Sequence, residues 1–172
     1  SALPGEVDGS WIFSGQGYNT GQFYGAVKQP GADVYAGGLQ DNGSWTSQIG
    51  ESANENSDYL RSGFGDGFEA VWNASNPDLL IVSSQFNNFF GSRNAGQGDF
   101  NQTYSADFGL TDNGRSLGPF VTRIASSNKN PGMLYTVGAS GVWRNTNFGL
   151  TQWRLTPINP QQWGFTNIAD IE

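Results

Sequence analysis

The chain has 172 residues, a formal net charge of −7, 25 glycines, no cysteine and no histidine. These counts exclude a disulfide framework, a thiolate or imidazole metal site and any histidine-based triad, so catalysis here would rest on carboxylates. With 13% charged and 14% aromatic residues, the chain reads as a folded all-β protein of short strands and many turns, not as a disordered one.

In chain order, strands are expected near 22–28 and 33–39, joined by a turn that holds Pro30, Gly31 and Asp33. Leu39-Gln40-Asp41-Asn42-Gly43-Ser44-Trp45 follows as a hairpin, with Trp45 free to tuck beneath it. Residues 50–58 are acidic and strand-poor, a loop able to offer oxygen ligands to calcium, although the EF-hand pattern is absent. Gly65-Asp66-Gly67 is a tight loop, and strands follow near 68–73 and 79–84. Phe86-Asn87-Asn88-Phe89-Phe90 is an aromatic run expected mainly in packing between units. Ser92-Arg93-Asn94-Ala95-Gly96 reads as another turn, and Thr111-Asp112-Asn113-Gly114 as a further one outside the main register. The last expected strands lie near 119–125, 133–138 and 141–145, before Asn145-Thr146-Asn147-Phe148-Gly149-Leu150-Thr151-Gln152-Trp153.

Three of these strand–turn–strand stretches align on Tyr35, Ile81 and Tyr135, at spacings of 46 and 54 residues. A period near 40–50 residues is that of a four-stranded propeller blade. The hairpins that follow share Asx and then Gly two positions later, so Asp41, Asn94 and Asn147, with Gly43, Gly96 and Gly149, are expected in equivalent turns. The Asx side chain accepts backbone N–H groups and the glycine takes the positive φ.

These Asx-x-Gly hairpins resemble degenerate Asp-boxes (BNR repeats) of sialidase-type propellers. The order Gln22-Phe23-Tyr24, Val34 to Gly43, then Gly65-Asp66-Gly67-Phe68 is similar to the sortilin-like and xyloglucanase-like superfamily. The resemblance covers roughly residues 18–155. It implies an all-β propeller segment of three to four four-stranded antiparallel blades, with units near 18–65, 66–115 and 116–165, in a secreted or cell-surface protein. Relatives carry seven or more blades, so further blades of the same polypeptide or a partner chain are expected to cover open faces at Val27, Val71 and Ile124.

The expected function is non-catalytic: binding or assembly, with a glycan or a protein as ligand. The alternative is part of a secreted glycoside hydrolase acting on a β-glucan-type polysaccharide. For that reading Asp41 and Asp66 are the candidate cleft carboxylates, since glycoside hydrolysis needs two. Glu69 and Asp99 are weaker candidates, one in a strand pattern and one in a glycine-rich loop. Trp45 and Trp163 lie near turns and are candidates for stacking on sugar rings, while the other tryptophans are expected in blade cores. No metal site and no cofactor beyond the calcium loop is expected. No basic stripe offers itself to nucleic acid, and no apolar run is long enough for a transmembrane span.

Overall fold

Gly, Pro and Asx residues interrupt the apolar stretches every few positions, so the chain folds into short strands and tight turns. The computed structural model describes residues 21–50, 57–98 and 103–158. Trp11, Asp99, Asn101, Trp163 and residues 51–56 of the expected calcium loop lie outside them.

The described residues form twelve strands in three four-stranded antiparallel sheets, each ordered as its strands occur in the chain. Sheet 1 holds β1 (Phe23–Lys28), β2 (Tyr35–Leu39), β3 (Gly43–Ser47) and β4 (Tyr59–Gly63). Sheet 2 holds β5 (Ala70–Trp72), β6 (Leu80–Ser84), β7 (Asn88–Ser92) and β8 (Tyr104–Ser105). Sheet 3 holds β9 (Ala125–Ser126), β10 (Leu134–Gly138), β11 (Gly141–Asn145) and β12 (Arg154–Leu155). Among the described residues there is no α-helix; the only helical turn is a 3-10 turn at Gln85–Asn87.

The sheets stack face to face, and strand alternation decides which side chains fill each gap. Ala70, Trp72, Leu80 and Val82 of sheet 2 meet Val34 and Ala36 of sheet 1. Val71, Ile81 and Phe89, on the other face of sheet 2, meet Leu134, Trp143, Phe148 and Trp153 of sheet 3. Sheet 2 is therefore apolar on both faces, which is why 79–82 reads as a continuous apolar run. Val27, Val71 and Ile124 are not on open faces as expected: Val27 packs into the first gap, and Val71 and Ile124 lie in the second.

The strand expected at 119–125 is a loop until Ala125. Its backbone donor at Ile124 goes to the Glu69 carboxylate at 2.7 Å instead of to a ladder partner. Strand β3 lacks an apolar run because its inward residues are small and polar. Thr46 and Ser62 share a buried hydroxyl–hydroxyl bond of 2.6 Å, and Ser44 reaches the Ser83 carbonyl. Paired in this way, buried hydroxyls cost little.

The alignment of the three units shifts by one residue. Tyr35, Leu80 and Leu134 are the equivalent positions, facing Lys28, Trp72 and Ser126 in the register. Each is the fourth residue before the end of its second strand.

Candidate functional site

The two candidate acids meet at one end of the stack, the Asp66 carboxylate against the Asp41 backbone. Asp41 lies in the β2–β3 hairpin with φ 63°, and Gly43 follows at φ 79°. The Asp41 backbone N–H donates to Asp66 Oδ1 at 2.8 Å, and the Asp66 N–H donates to Gln85 Oε1 at 2.8 Å. Gln85 Oε1 also accepts from the Ser84 hydroxyl. Asp66 is thus a tie between the hairpin of sheet 1 and the β6–β7 turn of sheet 2. Gly67 has to be glycine here: a Cβ would run into the carbonyl of Gly43.

The polar ties continue into the loop before sheet 3. The Phe86 N–H donates to the Pro119 carbonyl at 3.0 Å, and Asn87 Nδ2 donates to the carbonyls of Asp112 (2.9 Å) and Val137 (2.7 Å). Asn87 is fully buried, with its N–H on Thr122 Oγ1 at 2.8 Å. Asp112 is buried too, accepting from the Ser140 hydroxyl at 2.8 Å and from Trp143 Nε1 at 2.9 Å. Glu69 is paired with Arg123 at 2.6 Å, which joins sheets 2 and 3. Asn87 sits in the aromatic run expected in packing between units and Asp112 in a motif the sequence marks only as a turn; nothing local signals the polar partners that either takes.

An edge-to-face aromatic row crosses the same end: Tyr24–Phe68 at 5.0 Å, Phe68–Phe120 at 5.6 Å and Phe120–Phe86 at 5.6 Å. Phe68 is buried, while Tyr24 and Phe120 are each more than two-fifths exposed. Tyr24 donates to Gln40 Oε1 at 2.6 Å, and the Arg115 guanidinium lies 5.5 Å from the Phe86 ring centre. The end therefore offers exposed aromatic edges beside the exposed Asp41. Apart from this end, a surface depression too shallow to enclose a water molecule is lined by Arg61, Ser62, Ser92, Asn94, Gly96 and Thr103, and by neither candidate carboxylate.

The structure separates the three Asx turns that the sequence treats as equivalent. Asp41 follows the second strand of its sheet, whereas Asn94 and Asn147 follow the third. The last two turns do match each other. Ser92 Oγ accepts from the N–H groups of Asn94 (3.3 Å) and Gly96 (2.9 Å). Asn145 Oδ1 accepts from Asn147 and Gly149, both at 2.9 Å. Ala95, Gly96, Phe148 and Gly149 all take positive φ. The accepting hub thus lies two residues before the expected one, at Ser92 or Asn145. Asn94 contributes as well, binding Ser92 and the Gln97 carbonyl, but the Asn147 side chain is exposed.

Trp45 is half-buried and folds onto its own hairpin, its Nε1 donating to the Asn42 carbonyl at 2.8 Å. Trp72, Trp143 and Trp153 are buried, and Trp153 stacks on Phe89 at 5.6 Å. In the aromatic run, Phe89 faces sheet 3 and Phe90 faces sheet 1. Among the described residues no group of three or more Asp, Glu, His or Cys could hold a metal ion, and no helix is long and apolar enough to cross a membrane. No protein-family model matches the chain, and no curated protein matches it.

Proposed function

We propose that these sheets are three consecutive blades of an Asp-box-type β-propeller in a secreted or cell-surface protein, and that the segment serves binding or assembly without catalysis. The observation that carries this reading is a repeated inter-sheet bond. Gln29 Nε2 donates to the Pro77 carbonyl at 2.9 Å, and Asn73 Nδ2 donates to the Pro131 carbonyl at 2.9 Å. Gln29 and Asn73 both follow the first strand of a sheet, and both prolines lie in the corresponding turn of the next one. A bond repeated at the same place in successive units is what a propagating array of like units requires. The matching turns at Ser92 and Asn145 add to it.

The non-catalytic part rests on Asp66. Its carboxylate is engaged by a backbone N–H that locks two loops, a structural use of one of the two candidate acids. A glycosidase would need both acids to face a substrate.

Electron microscopy of the full natural polypeptide tests the architecture. The expected image is a disc of sheets around a central channel; an extended stack would overturn it. A β-glucan panel tests the function. Reducing-sugar release that is abolished by both Asp41→Asn and Asp66→Asn would replace the binding reading with the hydrolase.

A further inference from the structure

Register equivalence identifies a face of sheet 1 that is built as half of an inter-sheet interface. In the second and third strands, Gly37 pairs with Trp45, Val82 with Phe90 and Thr136 with Trp143. The three aromatic residues therefore occupy one position in three successive sheets. Phe90 packs into the gap between sheets 1 and 2, and Trp143 is buried in the gap between sheets 2 and 3. Tyr35 shares its position with Leu80 and Leu134, which are buried in those same two gaps. Each of these residues faces the sheet that precedes its own. Trp45 and Tyr35 are half-buried, and exposed Arg61 lies across from Trp45, its guanidinium 6.0 Å from the indole.

We propose that this face of sheet 1, centred on Tyr35 and Trp45, is the docking surface for a further four-stranded unit of the same polypeptide. The inference rests on the propeller-blade reading above and names what that reading places against sheet 1. Continuity with the two interfaces already formed specifies the partner. Pro77 and Pro131, which receive the side-chain amides of the preceding sheet, each stand three residues before Leu80 and Leu134. The corresponding residue before Tyr35 is Ala32. The docking unit therefore carries Asn or Gln at the end of its first strand, aimed at the Ala32 carbonyl.

A second copy of this chain fits less well. Its sheet 3 has Ser127 where Gln29 and Asn73 stand, as the turn bonds to Met133, Val34 and Leu79 show. A serine hydroxyl is too short for that reach. The same sheet face carries exposed Arg144 and Arg154, cross-strand from Tyr135 and from each other, which would oppose Arg61 with like charge.

Because the chain has no cysteine, an Arg61→Cys variant offers one added thiol on this face, and Thr146→Cys offers one on an exposed turn. Both are made in the 172-residue chain and in the full natural polypeptide, and their reaction with a thiol reagent is timed against the parent. Covering the face should slow Arg61→Cys at least about tenfold in the full polypeptide, with Thr146→Cys unchanged. Equal Arg61→Cys rates in the two forms overturn the proposal, as does a full polypeptide that has no further unit. A discrete dimer of the 172-residue chain with Arg61→Cys already protected overturns it in favour of a second copy. Protection without a closed ring in the images leaves the docking in place and removes the propeller. A ring with an unprotected Arg61→Cys does the reverse.

Discussion

The side-chain amide of Asn73 reaches across the gap between sheets 2 and 3 and donates to the carbonyl of Pro131 at 2.9 Å. Its own Oδ1 accepts from the N–H groups of Ser75 and Asn76, both at 2.9 Å, so one buried side chain caps a turn and bolts it to the next sheet. The same residue opens an Asn-Ala-Ser glycosylation pattern, and this geometry leaves its amide no room for a glycan.

Asn73→Ala removes three bonds at a buried site and should destabilise the chain by about 2–3 kcal/mol in denaturant unfolding. Gln29→Ala removes one described bond and should cost about 1 kcal/mol. An Asn73→Ala cost below that of Gln29→Ala would show that the bolt and cap are not acting together.

Asn145 and Asn147 provide a direct comparison of a hub with a neighbour. Asn145 accepts from Asn147 and Gly149 and donates to the Thr151 carbonyl at 2.7 Å. Asn145→Ala should therefore cost about 2 kcal/mol or more, and Asn147→Ala within about 0.5 kcal/mol of nothing. The reverse order in thermal or chemical unfolding would restore the Asx position inferred from sequence.

Gly149 has φ 75°, and a Cβ there would lie 2.7 Å from Ile81 Cδ1 and 3.0 Å from Ala106 Cβ. Backbone strain and overpacking act together, so Gly149→Ala should cost about 2 kcal/mol or more. Gly31 also has positive φ, but open space surrounds it, so Gly31→Ala should cost less. Urea midpoints of the two variants check the difference.

The Asp112 carboxylate serves Ser140 and the Trp143 indole within the protein interior. Asp112→Ala leaves that indole N–H unpaired and should cost about 2–4 kcal/mol, with a shift in tryptophan emission that Trp143→Phe abolishes. An unchanged emission would place the indole N–H in contact with another acceptor.

Burial pushes the Tyr104 phenol above its usual pKa, with the Arg93 guanidinium, 4.9 Å from the ring, opposing it in part. The folded form then holds its proton to higher pH than the unfolded form. The stability this contributes is complete below the unfolded pKa of about 10 and is lost as pH rises through the folded value. Alkaline spectrophotometric titration should show one late-ionising tyrosine that is missing in Tyr104→Phe.

Local chemistry made much of this protein legible in its sequence. Glycine, proline and asparagine at short intervals, with apolar runs between them, determined the all-β class, the repeat and the positions of β2, β6, β10 and β11, because turn geometry and strand burial depend on neighbouring residues. The pairing of Ser92 with Gly96 and of Asn145 with Gly149 lay within five-residue windows, so the turns were visible even though the hub was taken two residues too late. What only the tertiary structure decided is which residues connect one sheet to the next. Asp66 meets Asp41, Glu69 meets Arg123, and Asn87 meets Thr122, Asp112 and Val137 across gaps of 25 to 54 residues in the chain. Strands β3 and β7 escaped the pattern for the same reason. Their small or mixed side chains are buried by partners in another sheet, and sequence periodicity records only the environment that a strand's own neighbours create.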